Sequence, residues 1–292
     1  MDINYELYKV FYHVAVSLSF SEASKKLYIS QSAVSQSIKV LEKKLNRTLF
    51  IRSTKKVQLT PEGEILLRHV EPAMNLIKRG ESQLLEADTL GNGQIRIGAS
   101  DTICRYFLVP YLSRFHKEYP NIHIKVTNQT SIRCVDLLES GSVDLIFTNY
   151  PNSRLGHGFH IQYIKKFYDC FIASRKYYGE LENHELSFQE LLKYPILMLG
   201  RNSTTSEFVH SMFQQHQLDL VPEIELSSND LLLDLASIGL GIAFVPDFCV
   251  SRKSEELFPI RLKSALPPRQ LAIVHSEQIP IGNAAKQFMN YF

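Results

Sequence analysis

Residues 19–63 of this 292-residue chain read SFSEASKKLYISQSAVSQSIKVLEKKLNRTLFIRSTKKVQLTPEG. Ser19 and Glu22 have the spacing of a capping box, which predicts that a short helix begins there. Ser30 can cap a second helix, because a serine oxygen at this position accepts a hydrogen bond from the first turn. The apolar residues of that second helix recur every three or four positions, at Val34, Ile38, Leu41 and Leu45. Two short helices joined by a turn of three or four residues predict a helix-turn-helix.

The outer face of the second helix suits the major groove of DNA. Its side chains are short or hydrogen-bonding, and no acidic residue stands between Gln31 and Leu41. Glutamine pairs with adenine, serine reaches either kind of base edge, and lysine meets phosphate. The predicted DNA contacts on this helix are Gln31, Ser32, Ser35, Gln36, Lys39 and Lys43. An ordinary solvated helix is the alternative, although such a helix more typically carries Glu–Lys pairs.

Residues 49–60 predict a small hairpin around Ser53 and Thr54. Arg52, Lys55 and Lys56 fall at its tip, where they can grip the phosphates of DNA.

The distribution of charge agrees with this interpretation. The whole chain has a formal net charge of only +2, but residues 1–60 hold ten basic and four acidic residues, a charge of +6. The remaining residues hold 22 basic and 26 acidic residues, a charge of −4. A basic segment joined to a slightly acidic body favours a polyanion partner for the segment, with a merely solvated basic surface as the alternative.

Composition excludes several other classes of protein. Hydrophobic residues make up 45% of the chain, which argues against a mainly disordered protein. The four cysteines form no CxxC pair, which argues against a zinc knuckle or a disulfide scaffold and favours a reducing compartment. No apolar run reaches the roughly 18 residues of a membrane span, and the N-terminus has no secretory pattern, so we expect a cytoplasmic protein.

A long helix is predicted to follow the hairpin. Thr60 and Pro61 suit its start, and apolar or small residues then form a heptad seam to about residue 86. The seam residues are Leu66, Val70, Ala73, Ile77, Gly80 and Leu84. Such a seam pairs two copies of a helix or packs the helix on its own domain. Gly91 and Gly93 indicate a hinge, which places the next boundary there.

Strands alternate with helices beyond residue 93, which predicts a parallel, doubly wound sheet followed by a second set of elements in residues 163–265. Ligands bind such sheets at the carboxyl ends of the strands, beside helix N-termini. Hydroxyl-bearing clusters stand at three such junctions: Ser100-Asp101-Thr102, Thr148-Asn149, and Ser203-Thr204-Thr205 just after Arg201. Each cluster can also be a simple N-cap.

These clusters predict one cleft for a small molecule. Arg201 can grip a carboxylate, sulfate or phosphate, whereas Asp101 would repel an anion. A ligand with both an anionic and a hydrogen-bond donor group would satisfy both side chains.

The stretch 19–63 resembles the winged helix-turn-helix of LysR-type transcriptional regulators. The matching elements are Ser19-Phe20, Ala23, Leu27, Ser30–Ser35, Ile38, Leu41-Glu42, Leu49-Phe50, Arg52 and Leu59–Gly63. The family often has other residues where this chain has Ser24, Ser32 and Asn46. The stretch Gly239–Pro246, which reads GLGIAFVP, resembles the effector-binding domain of the same family.

The resemblance implies a multidomain α+β and α/β fold. Residues 1–60 would form the winged helix-turn-helix, 61–90 a linker and dimerisation helix with a hinge, and 91–292 an effector-binding domain of the periplasmic-binding-protein type. The effector domain would have subdomain I (91–162 with 266–292) and subdomain II (163–265). Ser100, Thr102 and Thr204 correspond best to the family's ligand-contacting positions.

The resemblance also implies a function and partners. The chain would be a sequence-specific DNA-binding regulator without cofactor or enzymatic activity, controlled by a small-molecule co-inducer. It would dimerise through residues 61–88, associate further into tetramers and act on RNA polymerase. The absence of phosphate-loop, HExxH and GxSxG motifs agrees with a non-enzyme. Two alternatives remain, a redox-sensing regulator that uses Cys104, Cys134, Cys170 or Cys249, and a transporter's solute-binding protein.

Overall fold

The computed structural model describes residues 3–52, 56–87, 93–253 and 255–292. The chain divides into two compact units, Met1–Asp88 with Glu139–Ser142 and Thr89–Leu138 with Val143–Phe292. Residues 90–92 of the predicted hinge and residues 53–55 of the predicted hairpin lie outside the described residues, whereas Gly93 of the hinge begins a strand.

The first unit is a winged helix-turn-helix followed by a long helix. Its elements are α1 (Tyr5–Ser17), α2 (Phe20–Leu27), α3 (Gln31–Leu45), β1 (Phe50–Arg52), β2 (Val57–Leu59) and α4 (Pro61–Ala87). Ser19 Oγ accepts a hydrogen bond from the Glu22 amide and Ser30 Oγ accepts one from the Ala33 amide, so both predicted caps are present. The side chains of Phe11, Val34 and Ile38 are fully buried where the first three helices meet.

The end of each short helix is set by a residue in the left-handed conformation. Leu18, Tyr28 and Asn46 have φ values of 47°, 55° and 50°, and each of them follows the last residue of a helix. Asparagine adopts this conformation more readily than most residues. Asn46 therefore ends α3 at a position where the related family often has glycine.

The joint between the wing and α4 requires a glycine. Thr60 Oγ1 donates to the Thr48 carbonyl and accepts from the Gly63 amide, which draws the start of α4 against the preceding segment. A Cβ atom at Gly63 would lie 2.2 Å from the Leu49 carbonyl oxygen and 2.9 Å from Leu59 Cδ2. Backbone on one side and a core side chain on the other leave no space for a methyl group.

The second unit contains two five-stranded sheets with helices on both faces and one small two-stranded sheet. Its elements are β3 (Gly93–Ala99), α5 (Asp101–Ile103), a π-helical turn (Cys104–Leu108), α6 (Val109–Glu118), β4 (Ile122–Asn128), α7 (Ser131–Glu139), β5 (Leu145–Tyr150), β6 (Phe159–Phe167), β7 (Asp169–Ser174), α8 (Arg175–Tyr178), a 3-10 turn (Gly179–Leu181), β8 (Glu185–Leu186), α9 (Phe188–Leu191), β9 (Ile196–Leu199), α10 (Thr204–Gln215), β10 (Ile224–Leu226), α11 (Asn229–Ser237), β11 (Ile242–Pro246), a 3-10 helix (Asp247–Lys253), β12 (Leu257–Pro259), β13 (Arg261–Leu262), β14 (Arg269–Ser276) and α12 (Asn283–Met289).

The predicted parallel arrangement is confirmed for β3, β4 and β5, but both five-stranded sheets also contain antiparallel strands. The strand order is β4-β3-β5-β14-β6 in the first sheet and β10-β9-β11-β7-β12 in the second. β3 is parallel to β4 and β5, and β9 is parallel to β10 and β11, but β14, β6, β7 and β12 pair antiparallel.

The boundary between the subdomains also differs from the predicted residue 163. β6 extends from Phe159 to Phe167 and pairs with β14 in the first sheet, so residues 163–167 belong to that sheet. The chain passes to the second sheet at Tyr168, between β6 and β7. No strand is predicted from the sequence at 159–167, and alternation of apolar residues alone does not specify which sheet a strand joins.

Substitution Gly63→Ala is expected to lower the free energy of unfolding by about 1–3 kcal/mol, because the added methyl group overpacks the joint between the wing and α4. The midpoint of urea denaturation measures this. Gly179→Ala is the control, since a Cβ atom there meets nothing within 4 Å. Equal stability of the two variants would contradict the joint as described.

Candidate functional site

The outer face of α3 is exposed. Val34, Ile38 and Leu41 are fully buried against the other helices of the first unit, which leaves the opposite side of α3 in solvent. On that side Gln31, Ser32, Gln36, Lys39 and Lys43 are exposed and Ser35 is half-buried. The predicted DNA-contact residues of α3 therefore form one surface.

Polar contacts fix both ends of this surface. The hydroxyls of Ser30 and Ser32 lie 2.8 Å apart at the start of α3. Near its end, Glu42 Oε1 accepts hydrogen bonds from the amides of Leu49 (2.8 Å) and Phe50 (3.3 Å). Glu42 thereby ties α3 to the wing, a positioning role that periodicity alone does not reveal.

The wing is the antiparallel pair of β1 and β2, in which Phe50 faces Leu59 and Arg52 faces Val57. Lys56 is exposed at the start of β2. Lys55 and the Arg52 side chain lie outside the described part of the chain. The structure thus places the predicted wing beside the end of α3 without describing its whole tip.

The seam residues of α4 pack in the core in the first half of the helix and are exposed in the second half. Leu66 and Val70 pack in the core of the first unit. Ala73 and Gly80 are exposed, and the side chains of Ile77 and Leu84 are 58% and 73% exposed. The second half of the seam is therefore an apolar surface left in solvent.

The second unit contains a cavity of about 220 Å³ between its two subdomains. Its wall is mostly hydroxyls and carboxamides. From subdomain I it comprises Ser100, Asp101, Thr102, Asn128, Gln129, Thr130, Ser131 and Asn149, and from subdomain II Leu199, Ser203, Thr204, Thr205, Ser227 and Asn229. The structure brings together seven residues of the three predicted clusters, Ser100, Asp101, Thr102, Asn149, Ser203, Thr204 and Thr205.

Two predicted cleft residues are placed elsewhere. Thr148 is fully buried below the wall, where its hydroxyl accepts from Asn152 Nδ2 at 2.9 Å and donates to the Asn149 carbonyl at 3.2 Å. Arg201 is exposed in a separate groove along α10, which Glu207 and His210 also line. A side chain at a strand–helix junction can point to either side of the helix, and position along the chain does not decide which.

Four helix N-termini carry side-chain caps beside the cavity. The cap oxygens of Ser100, Thr130, Ser203 and Ser228 accept from the amides of Ile103, Arg133, Ser206 and Leu231 at 3.1–3.4 Å. Helix N-termini present free amides and the positive end of the helix dipole, which favours an anionic group on a ligand.

Half of the residues that line the cavity were not predicted from the sequence, although their positions after strands indicate them. Residues 128–131 follow β4 and residues 227–229 follow β10, which are the same kind of strand-to-helix junction as the one at Ser100. At the predicted Thr148-Asn149 cluster, Asn149 lines the cavity and Thr148 does not. In a strand, neighbouring side chains point to opposite faces, so only one of the two reaches the cavity.

Hydrogen bonds cross the cleft. Asn229 Nδ2 donates to Thr102 Oγ1 at 2.8 Å, and Tyr106 Oη donates to Asp230 Oδ1 at 2.7 Å. Ser153 Oγ also donates to Glu207 Oε1 at 2.8 Å. These bonds link subdomain I to the first turns of α10 and α11.

A buried ion pair lies where the strands pass between the subdomains. Arg269 Nη1 donates to Asp169 Oδ2 at 3.0 Å and to Thr205 Oγ1 at 3.2 Å, and neither charged side chain is exposed. The guanidinium also lies over the rings of Phe167 and Phe208. Burial raises the pKa of Asp169, and the Arg269 cation opposes that shift. Thr205 connects this cluster to the cavity wall.

The four thiols have little nucleophilic character. Burial raises the pKa of Cys104 to about 11 and those of Cys134 and Cys170 to about 12, and it also raises the pKa of Cys249. The thiolate is the reactive form of cysteine, so these environments do not activate it.

Two kinds of feature are absent from the described residues. They contain no group of three or more His, Cys, Asp or Glu side chains that could hold a metal ion. Within the same ranges, no helix has the length and apolarity that crossing a membrane requires.

Comparison with known proteins adds to this geometry. A family model described as "LysR substrate binding domain" matches residues 89–292, and one described as "Bacterial regulatory helix-turn-helix protein, lysR family" matches residues 5–64. A probable RuBisCO transcriptional regulator of Emiliania huxleyi is 27% identical over 277 residues, which cover 92% of this chain and 88% of that protein. The transcriptional activator CmpR of Synechocystis is 26% identical over 238 residues, which cover 82% of this chain and 77% of CmpR.

Solved structures share the fold. A full-length cysteine variant of OxyR from Pseudomonas aeruginosa has a TM-score of 0.73 at 18% identity, covering 99% of this chain and 94% of that one. CbnR in complex with its target DNA has a TM-score of 0.67 at 18% identity, covering 99% and 98%. The named relatives and neighbours are regulators of transcription rather than enzymes.

Substitution Arg269→Met is expected to lower the free energy of unfolding by about 3–5 kcal/mol, because it leaves the Asp169 carboxylate buried without a countercharge. The double variant Arg269→Met/Asp169→Asn should regain much of that loss. Chemical denaturation of the full-length protein measures both. Lys25→Ala, which breaks the exposed pair with Glu22, is the control and should change stability little. Additive losses in the double variant would contradict the coupling.

Proposed function

Because the chain belongs to the LysR family of DNA-binding transcriptional regulators, we propose that a small-molecule effector bound in the cleft between its subdomains controls its action on DNA. The observation that carries this proposal is the polar cavity, whose wall both subdomains supply and which four capped helix N-termini adjoin. A ligand that touches both subdomains favours the arrangement in which both are in contact with it, and this differential affinity is what a control mechanism requires.

The DNA-binding surface consists of α3 and the wing. Gln31, Ser32, Ser35 and Gln36, at the start of α3, are the proposed readers of base edges. Lys39 and Lys43 farther along the helix, with Arg52, Lys55 and Lys56 of the wing, are the proposed phosphate contacts. Short polar side chains at the start of a recognition helix and cations beside it match this division of roles.

The exposed half of the α4 seam supports a dimer through residues 61–88. Ala73 and Gly80 allow close approach of a second helix, and Ile77 and Leu84 supply apolar surface to bury. A dimer presents two recognition helices to two half-sites. The family resemblance extends the proposal to tetramers, a cytoplasmic location and RNA polymerase as a further partner.

Metabolite sensing is preferred to redox sensing. A redox sensor needs a thiol that ionises near neutral pH, and burial raises the pKa of all four thiols well above that range. The cavity, by contrast, has the hydroxyls, amides and helix N-termini that suit a small polar ligand.

Substitution Lys39→Ala is expected to weaken binding to every DNA sequence and to reduce the slope of log affinity against log salt by about 0.9, the value for one phosphate contact. Gln31→Ala should instead relax the preference at one base position by roughly 1–3 kcal/mol. Fluorescence anisotropy measures both, with DNA that the full-length protein selects from a random library. Lys117→Ala, exposed on α6, is the control. An unchanged salt slope in Lys39→Ala would remove that residue from the interface.

Substitution Asn128→Trp is expected to fill the cavity from an exposed position in its wall, leaving the core intact. The variant should bind the selected DNA as the unaltered protein does, but a reporter gene under that DNA should no longer respond to changes of growth medium. Lys125→Trp, exposed on the same strand and outside the cavity wall, is the control and should respond normally. A normal response of Asn128→Trp would contradict control through the cleft.

A further inference from the structure

The cavity contains two buried hydrogen-bond acceptors that have no partner among the described residues, Asn149 Oδ1 and Asn229 Oδ1. Both residues line the cavity, and they are only 8% and 3% exposed. Buried polar atoms are nearly always paired, so an unpaired acceptor in a cavity wall is a place for a donor of the ligand.

Hydrogen bonds hold both residues in the wall of the cavity. Asn229 Nδ2 donates to Thr102 Oγ1 at 2.8 Å, which commits the amino end of that carboxamide and leaves its oxygen for another donor. The backbone amide of Asn149 donates to Ser131 Oγ at 3.4 Å, which holds the end of β5 beside the start of α7. Asn149 comes from subdomain I and Asn229 from subdomain II, so a donor that reaches both oxygens joins the two subdomains.

The charge of the wall indicates what kind of donor this is. Asp101 is the one charged residue among the cavity-lining residues described, and its carboxylate lies 3.9 Å from Arg105 Nε. Arg201, which would have made the wall positive, lies in the separate groove along α10. Two amide oxygens and a carboxylate favour a positively charged donor over a neutral one.

The remaining wall favours an anionic group on the same molecule. α10 and α7 begin at the cavity, and Thr204, Thr205 and Ser131 in their first turns line it. The amides at such starts favour carboxylates and other anions. The cavity of about 220 Å³ is smaller than the roughly 300–1,000 Å³ of pockets that hold drug-sized ligands. A ligand of this size with both charges is a zwitterion as small as an amino acid.

We propose that the effector is a small amino acid whose ammonium group donates to Asn149 Oδ1 and Asn229 Oδ1 and whose carboxylate lies at the helix N-termini. This inference rests on the effector cleft of the proposed function. It names the effector's chemical class and makes Asn149 and Asn229 the residues that discriminate an amino acid from a plain carboxylic acid.

The test uses full-length protein and the twenty proteinogenic L-amino acids, with binding measured by thermal shift and then by isothermal titration calorimetry. At least one amino acid should raise the melting temperature. The matched acid that lacks the amino group should bind at least about tenfold more weakly, because it leaves both oxygens unpaired. The matched α-hydroxy acid should fall between them, since a hydroxyl donates one hydrogen bond without charge.

Variants locate the effect. Asn149→Leu and Asn229→Leu should each weaken amino-acid binding by about tenfold and leave binding of the matched acid unchanged. Asn149→Asp and Asn229→Asp retain an acceptor oxygen and the shape of the side chain, so they should retain amino-acid binding even if a leucine variant fails to fold. Loss of binding in the aspartate variants would overturn the role of these oxygens.

The outcomes separate this inference from the proposed function. Equal affinity for an amino acid and its matched acid, or no thermal shift with any of the twenty amino acids, overturns the amino-acid assignment. If the reporter response is still lost in Asn128→Trp, the effector cleft stands and only its ligand class is wrong. If that response is normal, the cleft does not control the protein and both proposals fall.

Discussion

The C-terminal unit depends on a buried ion pair at the place where its chain passes between two sheets. β6 ends at Phe167, β7 begins at Asp169 and β14 begins at Arg269, so the pair joins the outgoing and the returning connection. A charge left alone in such a site costs several kcal/mol, so neither partner can be lost singly. Thr205, the third member of the cluster, lies in the cavity wall. The cavity wall is therefore hydrogen-bonded to the buried ion pair through Thr205.

The hydrogen bonds that cross the cleft between the two subdomains are weaker than this buried ion pair. Thr102–Asn229, Tyr106–Asp230 and Ser153–Glu207 are single hydrogen bonds between polar side chains. Such a bond contributes only about 0.5–1.5 kcal/mol net, because water replaces it when it opens. A cleft whose two sides are joined by such weak bonds can be biased by the binding energy of a small ligand.

Much of the fold could be predicted because local rules determine it. The caps at Ser19 and Ser30 and the periodicity of Val34, Ile38 and Leu41 determine the helix-turn-helix, and each agrees with the observed helices. The antiparallel pairing of β6 with β14 could not be predicted from local patterns, since it joins residues about 100 positions apart. Only the family resemblance implied that residues 266–292 return to subdomain I.

The cleft was predicted in part for a related reason. A serine such as Ser100 or Ser203 at a helix start serves as a cap whether or not it also meets a ligand. Thr148 and Arg201 failed because only the folded backbone determines which way a side chain points.

The long helix α4 shows how one sequence pattern can serve two purposes. Its seam has the same spacing throughout. The sequence is therefore compatible with packing on its own domain and with pairing between two copies of the chain. Leu66 and Val70 pack in the core of the first unit, so the first interpretation is correct for the first half. Ala73, Ile77, Gly80 and Leu84 remain in solvent, and they are the residues that the proposed pairing would bury. A dimer made in this way would draw on no residue that the helix-turn-helix needs for its own stability. The DNA-binding domain can then keep its structure whether or not a partner is present, and association sets only the distance between two recognition helices.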